Sequence, residues 1–138
     1  VYERPENLFV AGFIGSPPMN TVEGDLVTGD DGAQIVRTAL GEMRLTRTST
    51  SEPTTGSGVV AGIRPEHLTI GGSDLRVDVL NVEQLGHERH VICDAGTARW
   101  VIRQSAADPS PVAGETIGLG VDGSQVHLFD PTTTLRID

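Results

Sequence analysis

The spacing of apolar residues changes once along this chain, near Pro17-Pro18. Upstream, Phe9 and Phe13, and Val10 and Ile14, recur at i,i+4, which sets them on one stripe of a helix. Pro5 suits a first helical turn, where its missing N–H costs nothing. Gly15 and then Pro17-Pro18 stop the helix. A short junction helix is therefore predicted within residues 1–20. Val1 is not an initiator Met, so the chain reads as continuing from sequence upstream, and part of what this apolar stripe packs on is expected there.

Beyond Pro18 the period is two. Residues 21–27 read as a first strand, and Gly29-Asp30-Asp31-Gly32 as a turn with Asp-Gly hairpin chemistry. Strands over 33–39 and 43–47 follow on either side of Gly41. Residues 48–58 are polar, Ser/Thr-rich and aperiodic, and read as an exposed loop. Val59, Ala61 and Ile63 alternate, as do Leu75, Val77 and Val79 against Arg76 and Asp78. The apolar phase then moves to Leu80 and Val82, which predicts a bulge. A hairpin is predicted from 89–94 and 97–103 across Ala95-Gly96, with Ala98, Trp100 and Ile102 on one face. Residues 104–114 form a Pro-broken loop. Ile117, Leu119 and Val121 are expected to pair through Asp122-Gly123 with 126–129, and 135–137 to close the sheet. About ten short strands with turns every 8–12 residues indicate an all-β barrel or sandwich. Periodicity alone leaves an immunoglobulin-like sandwich open.

Composition agrees. Seventeen Gly, eight Pro and only five aromatics among 138 residues favour short strands around an aliphatic core. The net charge is −9, and all ten cations are Arg. Such a surface argues against binding to nucleic-acid phosphates and against docking on anionic lipid. Cys93 is the single cysteine, so no internal disulfide is available, as suits a reducing compartment. No signal peptide is evident, and no run approaches the roughly 20 apolar residues of a membrane span, so the chain reads as soluble with no membrane insertion of its own.

Most chemical motifs fail on context. Gly118-x-Gly120-x-x-Gly123 matches a dinucleotide fingerprint, but an Asp-Gly turn and a strand follow it instead of a helix. His87, His90 and Cys93 have a metal-like spacing, yet alternation turns His90 away from the other two, and no fourth ligand lies nearby. Gly56-Ser57-Gly58 is the nearest glycine–serine cluster and is not a nucleophile elbow. With no lysine in the chain there is no phosphate-loop lysine, so no catalytic, cofactor or metal residues are assigned. Arg64-Pro65-Glu66-His67 is the one charged cluster between a strand and a break. It reads either as an exposed ion pair stiffening a turn, worth about 0–1 kcal/mol, or as an interface contact.

Three motifs in order carry a family resemblance. Tyr2-x-x-Pro5-x-Asn7-x-Phe9-Val10-Ala11-x-Phe13-Ile14-Gly15-x-Pro17-x-Met19-Asn20, then Gly62-Ile63-Arg64-Pro65-Glu66-His67, then Val82-Glu83-x-Leu85-Gly86 resemble the C-terminal regulatory region of ATP-binding subunits of sugar-importing ABC transporters. The resemblance is to the maltose, trehalose and glycerol-3-phosphate group, and Val126-His127-Leu128-Phe129-Asp130 fits the ending of that region. It implies two intertwined OB-like barrels over residues 21–138, the transport-associated OB (TOBE) fold. Residues 1–20 would then join the barrels to an upstream ATPase domain, where ATP and Mg would bind. It also implies a homodimer beneath membrane-spanning permease subunits, at the cytoplasmic face of the cell membrane. In some members a cytosolic signalling protein docks on these domains. Arg64, Pro65, Glu66 and His67 would lie at or near contacts between the paired regulatory domains. Phe9, Val10, Phe13 and Ile14 would be shared between the barrel and the ATPase domain. The alternative is a small-ligand sensor for a sugar or oxyanion, with Trp100 available for stacking or, by its alternation, placed in the core.

Overall fold

Residues 19–46, 57–96, 98–133 and 135 are described by a computed structural model of the chain. The expected junction helix, with Phe9, Val10, Phe13 and Ile14, lies outside these residues, as does 48–56 of the Ser/Thr-rich stretch. Apart from one 3-10 turn, all regular structure among the described residues is strand.

The first half is built on hairpins. β1 (Asn20–Thr28) pairs antiparallel with β2 (Gln34–Thr38) across the predicted turn, where Gly29 N–H donates to Ala33 O at 2.7 Å and Gly32 adopts φ 85°. β3 (Gly41–Arg44) returns along β2 through a tight turn stapled by the Thr38 hydroxyl, which donates to Gly41 O at 2.9 Å. β4 (Ser57–Ile63) pairs with the other edge of β1. The Ser/Thr-rich stretch thus ends in strand, because Ser57 and Gly58 extend the ladder opposite Leu26 and Asp25.

The second half centres on β5 (Leu68–Leu85), an 18-residue strand rather than a short one. Its first part pairs with β8 (Thr116–Val121) and its last part with β6 (Glu88–Asp94), which hairpins onto β7 (Arg99–Ser105). The register of β5 against β6 shifts between Val79 and Asn81, where the apolar phase changes in sequence. β5 needs that irregularity to serve two partners and curl between them.

The chain returns to the first half through β9 (His127–Phe129), which pairs with β4. This corrects the expected 117–129 hairpin: β8 and β9 do not pair with each other, and Asp122-Gly123 is a crossover between halves. The reason is packing. A β-carbon on Gly123 would collide with the Arg44 carbonyl oxygen, so the crossover lies directly against β3. Leu135 contributes one carbonyl, accepting from Asp130 N–H at 2.8 Å, while 136–138 lie outside the described residues.

The strands form one nine-stranded antiparallel sheet ordered β7-β6-β5-β3-β2-β1-β4-β9, with β8 branching from β5. Curled on itself, the sheet is an OB-type arrangement and not a two-sheet sandwich. A continuous core joins Leu26, Val36 and Met43 of the first half to Val91, Cys93 and Ile102 of the second. Each such side chain contributes about 1.5–3 kcal/mol by leaving water. Trp100 and Ile102 are buried as alternation predicts, whereas Ala98, next to the hairpin turn, is exposed.

Candidate regulatory and binding site

Arg64-Pro65-Glu66-His67 lies where the first half hands over to the second. Pro65 opens a single 3-10 turn, Pro65–His67, with Arg64 still extended at φ −74° and ψ 151°. Proline fixes its own φ for that first position and biases Arg64 towards the extended region. The turn closes with His67 N–H donating to Arg64 O at 3.0 Å. His67 O in turn accepts from Asp122 N–H at 3.3 Å, which pins the crossover to the same corner.

The side chains divide. Arg64 is 6% exposed and Pro65 is buried, whereas Glu66 is exposed and forms no ion pair among the described residues. The reading as an exposed Arg64–Glu66 pair therefore gives way to a buried arginine under an exposed carboxylate. His67 is half-buried, and its Nδ1 is enclosed without a hydrogen-bond partner among the described residues. The turn packs on β7.

β7 is held by two contacts the sequence did not single out. The Asn20 side chain donates to Val101 O and accepts from Val101 N–H, both at 2.8 Å. The Trp100 indole N–H donates to Thr21 O at 3.0 Å. Trp100 is 1% exposed, so it is a core residue and offers no stacking face.

At the far end of β7, Arg89 is buried on the face it shares with Val91 and Cys93. Its guanidinium donates to Gln104 Oε1 at 2.7 Å, Asp108 O at 2.9 Å, Ala106 O at 3.2 Å and Ser105 O at 3.5 Å. These acceptors fix the Pro-broken loop after β7. A polar residue in an otherwise apolar alternation, Arg89-x-Val91-x-Cys93, is the signal that would have found it. On the hairpin's other face, Arg103 bridges to Glu88 at 2.6 Å, and His90 Nε2 meets the same carboxylate at 3.0 Å. The Arg103 hydrogen bond, and then that of His90, hold the Glu88 carboxyl below its ordinary range. Between the start of β5 and this loop runs a half-open groove of about 460 Å³.

The rejected motifs acquire structural reasons. A β-carbon on Gly118 would strike the Gly72 carbonyl oxygen, and one on Gly72 would strike the Gly120 backbone. The glycine fingerprint thus marks a close approach of β5 and β8. Burial, with a smaller contribution from Asp78, pushes the Cys93 thiol up to about 12, so it is not a ready thiolate ligand. Among the described residues no three His, Cys, Asp or Glu side chains gather to hold a metal.

Comparison with known proteins gives this architecture a place. The TOBE domain model matches residues 61–129, and the MalK OB fold domain model matches 15–68. The chain belongs to the TOBE domain family. Relatives of this TOBE domain include the sn-glycerol-3-phosphate import ATP-binding protein UgpC of Bordetella pertussis, 37% identical over 100% of this chain and 38% of the relative. Another is the sulfoquinovosyl glycerol transport ATP-binding protein SmoE of Agrobacterium fabrum, 39% identical over 99% of this chain and 38% of the relative. The TOBE domain therefore spans a little over a third of the length of these relatives. Among solved structures, the cytoplasmic molybdate-binding protein ModG matches with a TM-score of 0.66 at 14% identity, covering 81% of this chain and 96% of that one. At that identity the likeness concerns the fold alone. The two family models overlap at 61–68, the corner that carries Arg64 to His67.

Proposed function

We propose that this chain is the regulatory and dimerisation domain of the ATP-binding subunit of an ABC importer for sugars or sugar phosphates. The observation that carries the reading is the match of the whole chain to ATP-binding proteins of such importers, together with the TOBE and MalK OB fold models. ATP and Mg belong to the ATPase domain of the full-length protein, and the permease subunits sit above that domain at the cytoplasmic face of the membrane. Among the described residues no helix is long and apolar enough to cross a membrane.

In this reading Glu66 and His67, presented over the buried Arg64-Pro65, lie at or near the contact between two copies. A contact that persists while the ATPase halves part keeps their effective concentration high and makes reclosure intramolecular. A cytosolic protein that binds the open pair better would slow transport by that difference in affinity alone. Light scattering of the isolated chain from low to high micromolar concentration tests the dimer. Association that weakens in Glu66→Arg supports it, and a strict monomer throughout that range counts against it.

A further inference from the structure

We propose that the groove between the start of β5 and the loop after β7 binds a small, uncharged, polyhydroxylated molecule: a mono- or disaccharide, or a polyol. Its volume of about 460 Å³ lies within the ordinary range of small-molecule sites, roughly 300–1,000 Å³.

The groove is already built. Arg89, 6% exposed, ties the loop, through Ala106 O and Asp108 O, to the end of β7, through Gln104 Oε1 and Ser105 O, so little ordering remains to be done when a ligand enters. Half-buried Ile70 and exposed Pro109 give the groove apolar surface, with Leu68 and Ile102 buried beneath, which suits the C–H face of a carbohydrate.

The rim supplies polar groups with capacity to spare. Thr69 is exposed, and its hydroxyl makes no hydrogen bond among the described residues. The Ser105 oxygen accepts from Ala107 N–H at 3.2 Å and keeps its own O–H to donate. The Asp108 carboxylate has no partner among the described residues and accepts from two hydroxyls at once. Gln104 takes no part, since its amide is committed to Arg89 and to Pro109 O.

Charge selects against an anion. Arg103 is matched by Glu88, and the Nη groups of Arg89 face carbonyl oxygens. Asp108 is left as the uncompensated charge at the rim of a chain carrying −9. A phosphate would meet repulsion there, whereas vicinal hydroxyls meet one strong acceptor and two hydroxyl donors.

The test titrates the ¹⁵N-labelled chain separately with trehalose, glycerol and inorganic phosphate, following amide shifts. Saturable shifts at Thr69, Ile70, Arg103 and Ser105 with trehalose or glycerol are expected at millimolar concentration. Asp108→Asn, an exposed change that keeps the backbone carbonyl used by Arg89, should weaken binding about tenfold, which corresponds to roughly 1.4 kcal/mol. Asp25→Asn, on exposed β1 surface, should leave it unchanged. Three outcomes would overturn the proposal: no saturable shift at tens of millimolar, saturation by phosphate alone, or undiminished binding in Asp108→Asn. None of them bears on the self-association test above.

Discussion

Asn20, the first residue of β1, reaches across to β7 with its side chain: its carboxamide pairs with both backbone groups of Val101, donor to acceptor and acceptor to donor, at 2.8 Å each. The two residues are 81 positions apart. Among the described residues β7 ends the sheet path, and an open edge is where another chain would pair. The amide of Asn20, 4% exposed, blocks that edge at its middle.

Replacing Asn20 by Ala removes both partners of Val101 at a part-buried site. An orphaned buried backbone group costs about 1–3 kcal/mol, so Asn20→Ala should lose about 2–4 kcal/mol in urea denaturation. Asn20→Asp should do no better, because the carboxylate keeps the acceptor, loses the donor and adds a buried charge. A loss below about 0.5 kcal/mol would show that the closure carries no stability.

Two glycines of the second half and one of the first give a matched comparison. A β-carbon at Gly118 has nowhere to go except into the Gly72 carbonyl, whereas one at Gly58 meets nothing within 4 Å. Gly118→Ala should cost about 2–4 kcal/mol, since β5 and β8 must separate. Gly58→Ala should stay within about 0.5 kcal/mol of the parent. Thermal or urea unfolding of the pair checks the contrast, and equal effects would rule out the close approach as the cause.

What could be read from sequence follows the range of the interaction. Strand positions and the β5 bulge were legible because alternation is local: Val77 and Val79 share a face, and Leu80 breaks the phase. Partners were legible only where a short turn joined them, as in β1–β2 and β6–β7. Asp122-Gly123 has hairpin chemistry yet does not pair β8 with β9, because it is held by Arg44 and His67, residues remote in sequence. Arg64 looked like a surface charge for a similar reason. The turn it opens packs on β7, roughly forty residues downstream, and no local pattern records that. The groove was not legible at all, because its two walls are separate strands.

Arg89 offers a test of how the loop after β7 is held. Four acceptors converge on one planar guanidinium, a geometry that lysine, a point charge with rotating donors, cannot match. Arg89→Lys should therefore fall between the parent and Arg89→Ala, with the alanine variant losing about 2–4 kcal/mol. The informative readout is hydrogen exchange. Amides over 105–108 should lose protection in both variants while those of β1 and β2 keep theirs, and uniform loss would mean global destabilisation instead.

The last prediction concerns alkali. Burial raises the Cys93 thiol from about 9 to about 12, so the folded chain keeps a proton that the unfolded chain gives up. The unfolded state thus binds fewer protons between these values, and stability must fall as pH rises through that window. One group contributes at most about 1.4 kcal/mol per pH unit. Below pH 9 the effect vanishes, since both states hold the proton. Cys93→Ala removes the term while leaving a small cavity, so it should be less stable at pH 7 yet show a shallower decline from pH 9 to 11. Parallel curves for the two proteins would sink the assignment. Alkylation gives an independent check: iodoacetamide at pH 8 should label Cys93 slowly in the folded chain and rapidly in urea, because the thiolate and its access both require opening.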